Sequence, residues 1–143
     1  IGALIGGANS NEAEQLYLFG RDLGIAFQLK DDLLDVFGDQ LKFGKQSGGD
    51  IIANKKTFLY LQAITQADGN IKMELVNLYT SEDVNPTEKI ERVKDIYSSL
   101  NIESSTLEMI DKYYKKAMRS LSKVKGDKSQ LEAFAAMLKV RES

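Results

Sequence analysis

A single proline, Pro86, stands in the 143 residues, and this scarcity constrains the fold more than any other feature. Proline kinks or ends a helix because it lacks the backbone donor and clashes with the preceding turn, so a chain nearly without it can run long helices. The apolar spacing matches that freedom. From Asn11 to Phe37, Leu16, Phe19, Leu23, Phe27 and Leu34 recur at intervals of three, four or seven, the pattern of a helix with one buried stripe. Helical throughout, this stretch is roughly 40 Å long at ~1.5 Å per residue. A second pattern runs from about Asp50 to Ala67 through Phe58, Leu59, Leu61 and Ile64, and a third from Ile71 to Tyr79, with Gly69 between them.

Asn85-Pro86-Thr87-Glu88 is a helix start, with Asn as cap, Pro in the first turn and Glu placed to close a capping box. It predicts a helix to about Leu100. The run Glu103 to Val124 places Leu107, Ile110, Tyr114, Met118 and Leu121 on one face, and Gly126 sits where glycine favours ending a helix. Asp127 with Gln130 repeats the capping signature for a last helix through Met137 and Leu138. Alternating strand-like runs, repeats and low-complexity linkers are absent from the sequence. The expectation is an all-α helical bundle in one segment, residues 1–143.

The chemistry open to the chain is narrowed by the absence of Cys and His. Zinc fingers, thiol chemistry, haem ligation by His and Ser-His-Asp or Cys nucleophiles are excluded. A metal would have to be a hard cation on carboxylates, Mg²⁺ or Mn²⁺ before Zn²⁺. The 19 basic and 21 acidic residues leave a formal charge of −2, too balanced to gather nucleic acid or an anionic membrane surface. No apolar run approaches the ~20 residues that span a bilayer, and the opening Ile-Gly-Ala-Leu-Ile-Gly-Gly-Ala lacks the basic flank of a signal peptide. A cytoplasmic setting is the default expectation. The chain starts without Met, inside an apolar segment, which reads as a fragment with Ile1 within a helix of a larger domain.

Within the long first helix lies Phe27-Gln28-Leu29-Lys30-Asp31-Asp32-Leu33-Leu34-Asp35. Residues three and four apart are helix neighbours, so Gln28, Asp31, Asp32 and Asp35 share one sector. Like charges so placed cost about 0.2–0.5 kcal/mol per pair, and anions near a helix C-terminus cost roughly 0.3–1 kcal/mol against the dipole. Two readings remain open. The carboxylates form a solvated acidic face, paired with cations such as Lys30 and Lys115, or a divalent cation between them reverses both penalties.

Downstream, Gly38-Asp39 and Phe43-Gly44-Lys45-Gln46-Ser47-Gly48-Gly49-Asp50 form a glycine-bearing loop leading into a helix whose first two turns carry Asn54, Lys55 and Lys56. Glycines allow close backbone approach, helix starts favour anions, and Lys45 and Lys55 could supply point charges for phosphate oxygens. A plain turn with solvated lysines is the competing reading. The spacing is not that of a Walker loop, since Gln46 follows the Lys where Ser or Thr is required.

Taken in order, Phe27 to Asp39, Gly44-Lys45, Gly48-Gly49-Asp50-Ile51 and Asn54-Lys55-Lys56-Thr57 closely resemble the second aspartate-rich region of trans-prenyltransferases, the short-chain polyprenyl diphosphate synthases. The resemblance covers about thirty ordered positions and implies the C-terminal portion of an isoprenoid synthase fold. It implies that Asp31, Asp32 and Asp35 coordinate Mg²⁺ bridging an allylic diphosphate, and that Lys45 and Lys55 contact that diphosphate. It also implies that Phe27 and Gln28 line the reacting end of the pocket and that Asp50 supports the loop or the metal's water shell. The implied reaction condenses an allylic diphosphate with isopentenyl diphosphate, in a homodimer. No second Asp-Asp-x-x-Asp occurs in the sequence, so half of the metal site is expected elsewhere, and the chain is expected to be inactive alone.

Two rivals accompany this reading: a terpene cyclase of the same fold, and a non-catalytic helical subunit regulating a longer synthase. An upstream Asp-Asp-x-x-Asp in the parent reading frame marks the enzyme; a start codon just before Ile1 marks the subunit. Gly20 and Gly24, four apart on the long helix, each cost about 1 kcal/mol relative to Ala and are expected to serve close helix packing, with room for a prenyl tail as the alternative. Tyr113-Tyr114-Lys115-Lys116 reads as a core tyrosine beside solvated lysines, with a partner or phosphate patch as the alternative, and Lys139 to Ser143 as a frayed basic terminus, with closure over diphosphates in an intact enzyme as the alternative.

Overall fold

The computed structural model describes residues 1–38 and 47–140. Every regular element among them is a helix: α1 (Gly2–Ile5), α2 (Ser10–Phe37), α3 (Gly49–Ile52), α4 (Phe58–Gln66), α5 (Gly69–Thr80), α6 (Pro86–Ser99), α7 (Ile102–Ser122) and α8 (Ser129–Val140). The chain divides into two compact units. One holds residues 1–28 with the chain from Glu108 onward; the other spans Leu29–Leu107, so that α2 and α7 each contribute to both.

The first unit is built on the apolar stripe of α2. Phe19 and Leu23 pack with Ala117 and Leu121 of α7 and Ala135 of α8, flanked by Leu16, Tyr114, Met118 and Leu138. α2 begins with a capping box that the hydrophobic pattern alone did not suggest. The Asn9 side-chain oxygen accepts from the Glu12 N–H at 2.9 Å, and Glu12 accepts in return from the Asn9 N–H at 3.2 Å. The other Glu12 carboxylate oxygen takes the Lys125 N–H at 3.1 Å. These backbone donors hold the Glu12 carboxyl below its usual range. At the end of α7, Lys128 Nζ donates to the carbonyls of Leu121, Ser122 and Val124, satisfying acceptors that a helix end leaves open. The helix thus stops at Ser122, and the left-handed Gly126 (φ +90°) lies in the connection rather than at the helix end. Asp127 accepts from the Ser129 N–H at 3.0 Å, the cap anticipated for α8.

In the second unit the buried residues come from every helix between α2 and α7: Leu29, Leu33 and Val36, then Ile51, Leu59, Tyr60, Ala63, Leu75, Tyr79, Ile90, Val93, Ile96, Tyr97 and Ile102. Tyr79 is its polar centre. Its ring lies 4.3 Å from that of Tyr60, and its hydroxyl is 3.1 Å from the Tyr97 hydroxyl. Burial pushes the Tyr79 phenol up to about 12 and Tyr97 higher still, so the pair stays neutral.

Three sequence expectations need correction. The pattern from Asp50 to Ala67 is two helices, α3 and α4, because Asn54 adopts a left-handed φ of +55° and Thr57 starts α4 by accepting from the Tyr60 N–H. Apolar spacing carries no information on one residue's φ, and Leu61, counted in the stripe, is 54% exposed. Leu107, expected on the apolar face of α7, is also exposed. Finally, among the described residues a methyl group at Gly20 or Gly24 would meet nothing within 4 Å beyond its own helix, so these residues supply no close packing partner for the two glycines.

The start of α6 agrees with its sequence signature. The Asn85 side chain accepts from the Thr87 N–H at 2.9 Å and the Glu88 N–H at 3.3 Å, with Pro86 following. Asn85→Ala is expected to lower stability by about 1 kcal/mol, measurable as a shift of the urea midpoint with unchanged slope; an unchanged midpoint would show that the cap contributes nothing.

Candidate functional site

The last two turns of α2 present Asp31, Asp32 and Asp35 on neighbouring positions, with Asp31 exposed, Asp32 buried and Asp35 half-buried. Phe27 and Gln28 stand one turn earlier on the same helix, Phe27 half-buried and Gln28 exposed. The helix ends where Gly38 donates to the Leu34 carbonyl at 2.8 Å, and a Cβ there would lie 2.3 Å from that oxygen. Lys45 lies outside the described residues, as do Asp39 and Gly44.

The chain then returns to α2 at Gly48. The Gly48 N–H donates to the Asp35 carbonyl at 2.6 Å, and the Asp50 N–H donates to Asp35 Oδ2 at 2.9 Å. Gly48 has φ +91°, and a Cβ there would come within 2.8 Å of Ile90 on α6. Only glycine fits both the backbone and the neighbour. After the single turn of α3, Lys55 extends back to the acidic cluster, its Nζ 3.6 Å from Asp32 Oδ1 and 3.5 Å from Asp50 Oδ1. Lys55 therefore lies in the break between α3 and α4 rather than in the first two turns of a helix. That break directs it onto Asp32.

Burial raises the Asp35 carboxyl above its usual range, the Asp50 N–H partly offsetting this, while the charges of Asp50 and Asp32 add to it. The Asp50 and Asp32 carboxylates push the Lys55 ammonium up. Four carboxylates, Asp31, Asp32, Asp35 and Asp50, thus share a region with the Lys55 cation. Among the described residues no three acidic groups converge to enclose a metal ion. The donors are all hard oxygens on one side, the type that Mg²⁺ accepts as one or two carboxylates completed by water and phosphate oxygens. Their chemistry suits a hard divalent cation.

Other polar candidates have local partners. Lys115 pairs with Asp111 at 2.6 Å on its own helix, not with the acidic cluster. Lys116 and Lys139 lie over the rings of Tyr113 and Tyr114, 5.1 and 4.8 Å from the centroids. Arg141 to Ser143 lie outside the described residues. Among the described residues, no helix is long and apolar enough to cross a membrane.

Sequence reasoning missed two contacts at the site: the Asp50 N–H on Asp35, and a hydrogen bond from Lys89 on α6 to the Asn54 side chain. Both join residues distant in sequence. Only the tolerance of Asn for left-handed turns could have hinted at the second.

A family profile described as polyprenyl synthetase matches residues 1–100. The short chain isoprenyl diphosphate synthase of Methanocaldococcus jannaschii is 34% identical over 100 residues, 70% of this chain and 31% of that protein. A crystal structure of a geranylgeranyl pyrophosphate synthase superposes with a TM-score of 0.84 at 38% identity, covering 99% of this chain and 45% of the other. The geranylgeranyl pyrophosphate synthase of Corynebacterium glutamicum, crystallised with isoprenyl diphosphate and magnesium, matches with a TM-score of 0.80 at 28% identity, over 99% of this chain and 40% of that one. The chain therefore spans less than half the length of these relatives.

Proposed function

The chain belongs to the polyprenyl synthetase family, and from that premise we propose that it supplies one half of the catalytic centre of a Mg²⁺-dependent short-chain prenyltransferase. The observation that carries the reading is the placement of Lys55 against buried Asp32, beside Asp31 and Asp35, at a loop tied to α2. The magnesium bound in the Corynebacterium relative supports the choice of cation.

The reaction condenses an allylic diphosphate with isopentenyl diphosphate. The bond from the allylic carbon to the diphosphate breaks, the isopentenyl double bond attacks that carbon, and a proton is lost, leaving a chain longer by one isoprene unit. Mg²⁺, when bound, supplies positive charge that stabilises the departing diphosphate. Asp31, Asp32 and Asp35 would hold it, while Asp35 also anchors the loop by accepting the Asp50 N–H. Lys55, together with Lys45 ten positions earlier in the sequence, places ammonium charge on the leaving group, where charge develops as the bond breaks. Gln28 turns an unreactive amide dipole toward the allylic cation, and Phe27 helps to keep water from it. Gly20 and Gly24, open on α2, leave room for the apolar tail. Homodimerisation and a cytoplasmic setting complete the proposal as properties expected from the family.

These roles need a second carboxylate cluster and an isopentenyl diphosphate site, neither legible in the sequence. The 143-residue chain is expected to bind magnesium pyrophosphate weakly and to form no prenyl product. The check is isothermal titration with Mg²⁺ and pyrophosphate, beside a radiolabelled condensation assay of this chain and of the complete enzyme. Robust condensation by the purified chain, or pyrophosphate binding indifferent to Lys55→Ala, would overturn the reading.

A further inference from the structure

Lys89, on α6, is only 5% exposed. Among the described residues no carboxylate lies within ion-pair distance of it. Its ammonium donates to the Asn54 side-chain oxygen and lies 5.3 Å from the centroid of the Tyr79 ring. Burial lowers its affinity for the proton. An ammonium on so little-exposed a residue, with no carboxylate within ion-pair distance among the described residues, is costly to hold, and one amide oxygen and a ring face offset that cost only in part. Its partner Asn54 is strained as well, holding φ +55°, a region that asparagine tolerates better than most residues.

The residue beside each completes the arrangement. Ile90, next to Lys89, fills the space over Gly48, where α3 begins. Lys55, next to Asn54, reaches Asp32 and Asp50, and its own N–H donates to the Asp50 carbonyl at 2.9 Å. Two consecutive residues of α6 therefore hold α3 at both ends. The left-handed step at Asn54 turns the chain back so that Lys55 faces the aspartates. A β or right-handed conformation at that residue would send the Lys55 side chain elsewhere.

We propose that Lys89 is a positioning residue, which by gripping Asn54 fixes the turn that aims Lys55 at Asp32 and Asp50. The proposal rests on reading Lys55 as a diphosphate contact, and it assigns Lys89 no contact with substrate.

Nuclear Overhauser contacts from the Lys55 side chain to the Asp32 and Asp50 side chains measure the aim directly, without ligand. They are expected in the parent chain and lost in both Lys89→Met and Asn54→Gly. Glycine keeps the left-handed turn accessible while deleting the acceptor. With Mg²⁺ and inorganic pyrophosphate as probe, each variant is expected to bind roughly two- to twelvefold more weakly, the worth of one hydrogen bond. The double variant should bind no worse than either, as coupled residues do. Melting curves check folding; should Lys89→Met unfold, Asn54→Gly at its exposed position still decides. Contacts that persist in the variants, that are missing from the parent, or losses that add in the double variant would overturn the proposal. Binding that ignores Lys55→Ala while the contacts respond to Lys89→Met would instead overturn the functional reading and leave the latch standing.

Discussion

In the complete enzyme, Asp32→Ala is expected to lower turnover by at least on the order of 10²–10³-fold, the cost of removing one group that stabilises transition-state charge. The helical content should stay unchanged. Asp32 stands near the end of a long helix, and alanine is a better helix former than aspartate. The ion pair lost is with Lys55, half-exposed and still within 3.5 Å of Asp50. Although Asp32 is buried, its Lys55 partner is 53% exposed, so solvent screens the pair toward the range of exposed pairs, about 0–1 kcal/mol. Function and stability should therefore separate: steady-state rates fall steeply while circular dichroism and the melting curve hardly move. Asp31→Ala, at an exposed position on the same helix, should behave alike. Near-normal rates in either variant would remove that residue from the site, and a rate loss matched by loss of helicity would assign it a structural role.

What could be read in the sequence was what depends on residue type and spacing over a few turns. One proline and a regular apolar stripe identified the helical class, and Asn85-Pro86 marked the start of α6 to the residue. The carboxylates of α2 were legible for the same reason, since a helix converts spacing of three and four into shared position. Contacts between segments were not legible. Nothing in Gly48-Gly49-Asp50 states that its amides will meet Asp35, and nothing near Lys89 states that it will reach back to Asn54. The break at Asn54 is the clearest case. Its apolar neighbours keep the helical period on both sides, so the pattern runs on through a residue whose φ ends the helix. Conversely, Gly20 and Gly24 looked like packing positions because close packing is a common compensation for glycine in a helix, yet among the described residues nothing outside their own helix approaches them.

Asp35 is where stability and function are expected to oppose each other. Burial raises its carboxyl pKa in the folded protein, so the folded state binds that proton more readily than the unfolded chain does. The charged form consequently weakens the fold at pH values above the folded pKa, and this penalty is relieved as the pH falls through it. Asp35→Asn keeps an oxygen to accept the Asp50 N–H and removes the charge. At neutral pH the variant is expected to melt above its parent, and the difference should shrink on acidification, the parent gaining as Asp35 takes up its proton. Comparing the two proteins isolates this group from Glu12, Glu74 and Asp127, whose lowered pKa values make the fold lose stability with acid in both. Meanwhile, affinity for magnesium pyrophosphate should fall by on the order of 10–100-fold, the range seen when a group tuning a metal site is altered. Thermal melts across pH and titration calorimetry at neutral pH test both halves. A variant that melts lower at neutral pH would refute the burial penalty; unchanged affinity would remove Asp35 from the cation site and leave it as the loop's anchor.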